Sequence, residues 1–200
     1  MPFTQSTHYL GLIVLIFAVL GLLILKPGGY ERLLWVITFL IVTTGFGSIV
    51  PVLYKPFYEY LPLFSKFRVP SMIYLLLAIT VPILSARGLD IFLNNFGHKI
   101  SFKKISQLVG TIGIISFILL IFGDFFIDFS ADSDVRYSAL QISQLRIYRL
   151  SLFEKGLIIA LGLVFLLSSL MFALKNNKIS PKRFQYGIII ISLLDIGFVG

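Results

Sequence analysis

The feature that most constrains the fold of this chain is a set of six apolar stretches. Each is close to bilayer length, and polar loops separate them. A bilayer core about 30 Å thick needs roughly 20 apolar residues at the helical rise. Backbone groups in lipid must pair within their own segment, which favours helices. The sequence therefore predicts an all-α, polytopic transmembrane helical bundle of about six helices. The predicted spans are 9–25, 33–50, 71–89, 107–123, 156–174 and 185–200, and the predicted outer loops are 51–70 and 124–155.

Composition excludes several other classes of protein. The chain is 58% hydrophobic and only 13% charged, whereas a soluble domain carries about 25% charged residues. It has no cysteine, which rules out disulfides, thiolate metal sites and cysteine nucleophiles. His8 and His98 are too few and too far apart to predict a histidine-based metal site. The net charge of +8 lies in the short loops, where it indicates contact with lipid head groups rather than nucleic acid.

The basic residues predict one orientation of the chain. Cytoplasmic loops of membrane proteins are enriched in Lys and Arg. One set of alternate loops is compact and densely basic: Lys26, Arg32, Arg87, Lys99, Lys103, Lys104, Lys175, Lys178, Lys182 and Arg183. The other set is longer and its cations are offset by acids: Lys55, Lys66, Arg68, Arg136, Arg146, Arg149 and Lys155. We therefore expect a multi-pass membrane protein with the N-terminus outside.

The two ends of the chain indicate a part of a larger protein. An outside N-terminus without a signal peptide is unusual for a native start. The last apolar stretch, 185–200, runs to its end without a polar flank. We therefore expect further helices of the same protein to pack against this segment.

A pair of cations stands out in the first outer loop. Lys66 and Arg68 flank Phe67 just before the third span, and cations on the outer side run against the topology bias. One interpretation is a phosphate-binding pair, since arginine offers a planar fork and lysine a point charge. The other is contact of both side chains with outer-leaflet head groups.

The second outer loop opens acidic and closes basic. Residues 138–153 are predicted to form an interfacial helix, on which Arg146 and Arg149, three residues apart, share a face. Its acidic residues suggest a divalent-cation site, an acid–base pair or a solvated loop, and their spacing matches no EF-hand. Asp124 is a candidate because it ends an apolar helix at the interface. The acidic residues are Asp124, Asp128, Asp132 and Asp134.

Asp195 lies about ten residues into the sixth apolar stretch. An ionisable residue at membrane depth is costly, which makes it a functional candidate by default.

Three elements of the chain resemble the YfhO family of bacterial integral membrane proteins, in the form common in Bacteroidota. The first matches the family's F-x-K-F-R-x-P/V-S-M element and a helix ending in GL-D: Phe64, Lys66, Phe67, Arg68, Pro70, Ser71, Met72, Gly88, Leu89 and Asp90. The second is LRIYRLSLFEK at 145–155, and the third is LLDIGFVG at 193–200. The elements occur in family order and cover most of residues 50–200.

The resemblance implies a glycosyltransferase-like membrane protein of GT-C architecture. Such a protein uses a polyprenyl-phosphate-linked sugar to modify a cell-envelope polymer or glycolipid on the outer side of the membrane. No catalytic residue is transferred, because the chain begins after the loop that carries the family's catalytic carboxylate. The candidate lipid-phosphate contacts are Lys66 and Arg68, and the secondary candidates are Asp124, Arg146, Arg149 and Asp195. The cofactor stays undetermined, with a divalent cation in the full-length protein as one option.

Two alternatives remain open at this point. A transporter or lipid flippase would place polar residues at mid-membrane depth, and the first five spans offer only Thr and Ser there. A non-catalytic membrane scaffold would pack against a partner protein and needs no reactive group.

Overall fold

The computed structural model describes residues 9–24, 29–45, 59, 70–94, 99–130, 134 and 137–199. Within these residues every regular element is a helix. A 3-10 segment at Pro70–Leu76 leads directly into the third α-helix. The helices are α1 (Leu12–Ile24), α2 (Gly29–Gly45), α3 (Leu77–Asn94), α4 (Lys99–Phe126), α5 (Ala139–Lys175) and α6 (Pro181–Val199).

The prediction of an all-helical membrane protein with about six helices is confirmed. Three helical stretches are long and apolar enough to cross a membrane: Ile73–Asn94, Phe102–Phe126 and Ala139–Lys175. The helices α4 and α5 extend beyond the predicted apolar spans at both ends, α3 only at its C-terminal end and α6 only at its N-terminal end. This difference has a physical cause, because hydropathy reports the part of a helix that suits lipid whereas backbone hydrogen bonds set where the helix ends.

The chain divides into two compact units, Met1–Lys104 and Ile105–Gly200. In the first unit, α2 and α3 run antiparallel. Glu31 at the start of α2 accepts a hydrogen bond of 3.0 Å from Arg87 near the end of α3. At the other end of the pair, the Tyr74 hydroxyl donates to the carbonyl oxygen of Val42 at 3.3 Å. Between these contacts the two helices and α1 share a hydrophobic cluster of Ala18, Leu34, Ile41, Leu77, Val81 and Leu84.

Two glycines let α1 and α3 approach at backbone distance. A Cβ atom on residue 21 would lie 3.2 Å from the Cα atom of Gly88. A Cβ atom on residue 88 would overlap the carbonyl oxygen of Phe17 and lie 2.8 Å from its carbonyl carbon. Small residues that allow such close approach are typical of helix contacts in membranes, where packing rather than hydrophobic burial drives association.

In the second unit, α5 runs antiparallel to α4 and to α6. A Cβ atom on Gly113 would touch Val164 at 3.2 Å, and one on Gly123 would lie 2.8 Å from the ring of Phe153. A tight turn then joins α5 to α6. The Lys178 amide donates to the Ala173 carbonyl at 2.9 Å and the Asn177 amide donates to the Leu174 carbonyl at 3.0 Å.

These two bonds form a Schellman motif that satisfies the last carbonyls of α5. The motif requires a residue with positive φ, and Asn177 supplies it at 55°. Asparagine tolerates this conformation better than other residues with a Cβ atom.

The 37-residue helix α5 is the main departure from the predicted layout. The sequence predicted an interfacial helix at 138–153, separate from the span at 156–174. The structure joins them into one helix, because no proline interrupts residues 139–175 and a capping box fixes its start. In that box the Ser138 side chain accepts from the Gln141 amide and the Gln141 side chain accepts from the Ser138 amide.

Candidate functional site

The structure describes some of the predicted site residues and not others. Lys66 and Arg68, the candidate phosphate pair, lie outside the described residues. Asp124, Arg146 and Arg149 meet where α4 ends and α5 begins. Asp195 lies on α6, away from the charged start of α5 in sequence. The described part of the candidate site is therefore the α4–α5 connection.

The connection is fixed at its α4 end by short-range contacts. The Ile127 amide donates to the Gly123 carbonyl at 2.9 Å, which prolongs the end of α4 by one bond. Phe129 is buried, and its ring lies 5.5 Å from that of Phe153 on α5. Aromatic pairs at this separation stabilise by about 0.5–1.5 kcal/mol beyond their area burial. The chain therefore leaves α4 in a defined direction against the flank of α5.

Arg149 and Asp134 form the anchor of the connection. Two hydrogen bonds, at 2.6 and 2.7 Å, join the guanidinium nitrogens of Arg149 to the two carboxylate oxygens of Asp134. Nη1 of Arg149 also donates to the Phe129 carbonyl at 2.8 Å. The Asp134 side chain is 7% exposed and that of Arg149 31% exposed. A bidentate, partly buried pair of this kind is strong and geometrically specific, so Arg149 has a structural role in anchoring the connection to α5.

Arg146 and Asp124 form a second pair of a different character. Nη2 of Arg146 lies 3.1 Å from Oδ1 of Asp124. The two side chains are 53% and 61% exposed, respectively. An exposed pair with one hydrogen bond contributes only about 0–1 kcal/mol. The pair therefore adds little to stability and presents a cation to solvent beside the end of α4.

The two arginines were predicted to share one face of a helix. The structure does place both on α5, but it separates their roles because their partners differ in burial. Arg149 is engaged by Asp134 and by a backbone carbonyl, while the Arg146 side chain is paired with Asp124 and is about half exposed.

The remaining acidic residues do not form a metal centre in the part of the chain that the structure describes. There, no group of three or more His, Asp or Glu side chains could hold an ion. Asp128 accepts from the Ser130 hydroxyl at 2.9 Å and from the Ser130 amide at 3.1 Å. These two bonds, with the charge of Arg146, lower the pKa of the Asp128 carboxyl. Asp132 lies outside the described residues.

Asp195 is completely buried, with 0% of its surface exposed. It occurs in the middle of an otherwise apolar part of α6. Burying a carboxylate in an apolar setting is costly unless it is hydrogen bonded or paired. Its burial keeps it a functional candidate.

Sequence analysis missed two features of this region. Asp134 appeared as one of several loop acids, although it anchors the connection. An open groove beside it, lined by Tyr137, Gln141, Gln144, Leu145 and Tyr148, was not predicted. One signal was available in the sequence, because Ser138 followed three residues later by Gln141 is the pattern of a capping box and marks where α5 begins.

Comparison of the chain with models of protein families, with curated proteins and with solved structures finds no match.

Proposed function

We propose that this chain is part of a membrane glycosyltransferase-like protein. It uses a polyprenyl-phosphate-linked sugar to modify a cell-envelope polymer or glycolipid on the outer side of the bacterial inner membrane. The proposal follows from the YfhO resemblance of residues 50–200. The structural observation that supports it best is the exposed guanidinium of Arg146 beside Asp124.

The position of Arg146 suits a lipid phosphate. Its guanidinium lies 3.1 Å from the carboxylate of Asp124, and Asp124 follows directly on the apolar run that ends at Gly123. In the proposed arrangement, Asp124 lies at the boundary between the hydrocarbon core and the head groups. A phosphate at the head of a polyprenyl chain occupies the same level. Arginine binds phosphate through two parallel N–H···O hydrogen bonds. Arg146 donates one hydrogen bond to Asp124, and its other N–H groups are the donors for a phosphate in the proposal.

Charge neutralisation is the chemistry that such a site would supply. When a sugar leaves its lipid carrier, negative charge develops on the phosphate. Cations held in place before the reaction stabilise that charge without reorganising in the transition state. In the proposal, Arg146 shares this role with Lys66 and Arg68 of the first outer loop, which are included on sequence grounds alone.

Arg146→Gln tests the phosphate contact directly. The substitution removes the positive charge and the paired N–H donors of the guanidinium but keeps a polar side chain. We expect the affinity of the protein in lipid nanodiscs for a polyprenyl monophosphate to fall about tenfold or more, the usual effect of losing a hydrogen bond to a charged group. Binding of the polyprenyl monophosphate, and of the uncharged polyprenol for comparison, can be measured by native mass spectrometry of the nanodiscs.

Arg183→Gln is the matched control. Arg183 is also exposed, but it lies in the first turn of α6, at the opposite end of α5. Its replacement should leave affinity unchanged, and the uncharged polyprenol should bind both variants equally. If Arg146→Gln and Arg183→Gln lose the same affinity for the polyprenyl monophosphate, the attraction to phosphate is nonspecific and Arg146 is not part of the site.

The burial of Asp195 favours a second candidate function, a transporter or flippase. Membrane carboxylates of this kind commonly serve ion or proton pathways. If this alternative is right, Asp195→Asn should abolish substrate accumulation in sealed vesicles while leaving polyprenyl monophosphate binding intact. If glycosyl transfer is the function, no accumulation should occur in vesicles of either form.

A further inference from the structure

The turn between α5 and α6 carries a large cluster of cations. Four basic residues occur between positions 175 and 183, and all four are exposed. The sequence has no acidic residue between Glu154 and Asp195. This cluster, the basic turn, consists of Lys175, Lys178, Lys182 and Arg183.

Hydrogen bonds fix the backbone of the basic turn on both sides. The Schellman motif closes the end of α5. At the start of α6, the Ser180 carbonyl accepts from the Phe184 amide at 3.0 Å, and the Ser180 hydroxyl accepts from the Arg183 amide at 3.4 Å. The four cations therefore extend from a defined backbone, which lowers the entropic cost of binding a ligand.

Antiparallel packing brings cations from both helices to one level. A Cβ atom on Gly187 of α6 would lie 2.8 Å from a side-chain carbon of Leu170 on α5. Counted outward from this contact along both helices, Lys175 at the end of α5 lies opposite Lys182 at the start of α6. Cations held at the same level repel one another, and an anionic ligand between them relieves that repulsion.

Exposed aromatic and aliphatic side chains indicate where a membrane would meet the basic turn. Phe172 on α5 and Tyr186 on α6 are both exposed one turn or less from the cations, and aromatic residues are enriched at the level of the head groups. Farther along α6, Ile189 and Ile190 are exposed as well, as suits side chains that face lipid tails. In a membrane, the cations would therefore lie beside the phosphates of the leaflet, on the side that the sequence predicts to be cytoplasmic.

We propose that the basic turn binds the head group of an acidic phospholipid. Lysine attracts a phosphate as a point charge, and arginine binds its oxygens through paired N–H groups. The acyl chains of the same lipid would lie along the exposed apolar surfaces of α5 and α6.

This site differs from the general attraction of basic loops to head groups. Two helices and a fixed turn hold its cations in one place, so it should retain an individual lipid. It also goes beyond the proposed function, because it requires no lipid-linked sugar and lies at the opposite end of α5 from Arg146.

Native mass spectrometry tests the proposal on protein released from nanodiscs of phosphatidylcholine and phosphatidylglycerol in equal amounts. We expect the protein to retain phosphatidylglycerol in preference to phosphatidylcholine by at least about tenfold. Lys178→Gln combined with Lys182→Gln should lower this preference about tenfold, because two cations near the head group are lost. Lys178→Arg combined with Lys182→Arg should keep the preference, which shows that the loss comes from charge and not from misfolding.

Lys103→Gln combined with Lys155→Gln is the matched control. It removes the same charge from exposed positions on α4 and α5 outside the basic turn, and it should leave the preference unchanged. Equal losses in the two glutamine double variants would overturn the proposal, as would equal retention of the two phospholipids by the unaltered protein. Glycerol 3-phosphate, which has the phosphate but no acyl chains, should not displace the lipid; displacement would show that the site takes a soluble phosphate instead.

The outcome can be distinguished from that of the test of the proposed function. In nanodiscs that contain phosphatidylglycerol, this lipid far exceeds an added polyprenyl monophosphate and occupies the basic turn. Arg183→Gln therefore leaves the binding of polyprenyl monophosphate unchanged. Conversely, Arg146→Gln should leave the preference for phosphatidylglycerol unchanged.

Discussion

Gly88→Ala should destabilise the packing of α1 on α3 by about 2 kcal/mol. The added methyl group would overlap the carbonyl oxygen of Phe17, which is backbone and cannot rotate away. The two helices would have to separate. Overpacking of a tight contact costs about 1–3 kcal/mol and sometimes more, and the pair also loses dispersion contacts along its length. The better helix propensity of alanine recovers only about 1 kcal/mol.

The fluorescence of Trp35 provides the measurement. It is the single tryptophan of the chain, and it packs against the hydrophobic cluster that α1, α2 and α3 share. Unfolding of the protein in detergent with increasing sodium dodecyl sulfate should therefore report on this unit. We expect the Gly88→Ala transition at a lower fraction of sodium dodecyl sulfate.

Gly29→Ala is the control for helix propensity. Gly29 is the first residue of α2, in the same unit as Trp35, and no described atom would come within 4 Å of a Cβ atom there. The substitution should be neutral or stabilise the helix by up to about 1 kcal/mol. A Gly88→Ala protein as stable as the Gly29→Ala protein would show that close backbone approach of α1 and α3 at Gly88 does not contribute to stability.

Arg149→Ala should release the α4–α5 connection. The change leaves a nearly buried carboxylate at Asp134 without its bidentate partner, and it removes the donor to the Phe129 carbonyl. Breaking a buried pair by removing one member costs about 3–5 kcal/mol. Because the Arg149 side chain is about one-third exposed, solvent compensates part of the loss. We expect a local loss of roughly 2–3 kcal/mol.

Hydrogen–deuterium exchange of peptides covering 127–150 measures the effect locally. Amide protection in the first turns of α5 and in the connection should fall by about 30- to 160-fold, which corresponds to the expected loss of free energy. Arg146→Ala, on the same helix, should change protection by fivefold or less, because its pair with Asp124 is exposed. Equal effects of the two substitutions would show that the Arg149–Asp134 pair is not the anchor.

A double mutant separates the pair from the individual side chains. Arg149→Ala combined with Asp134→Ala removes the carboxylate together with its bidentate partner. If the two residues stabilise the protein through each other, the double mutant should lose much less protection than the sum of the single mutants.

The sequence predicted the helical architecture because lipid admits few alternatives. The sequence predicted the apolar runs of α4 and α6 to be helical because backbone groups in lipid need partners within their own segment, and both runs are helical. The sequence could not predict that 139–155 continues straight into the following span. A polar amphipathic stretch forms a helix equally well along the membrane surface and away from it, and hydropathy does not distinguish the two.

The pairings at the candidate site could not be predicted for a related reason. The second outer loop holds several acids and several bases at similar spacings, and composition allows many combinations. Burial decides between them: the Asp134 side chain is 7% exposed and forms a bidentate pair with Arg149, while the Asp124 side chain is 61% exposed. The approach of Gly21 to Gly88 joins positions far apart in the chain, so no local pattern could reveal it.

Because α5 is long and unbroken, a small tilt displaces its ends by several ångströms. At 37 residues it extends about 55 Å, well beyond a hydrocarbon core of about 30 Å. Its N-terminal turns carry the groove and both arginines, and its C-terminal end enters the rigid Schellman turn to α6. With no proline to bend it, a tilt of about 5° would displace one end relative to the other by about 5 Å. A displacement at one end of α5 would thus be transmitted to its other end, without any change in the helix itself.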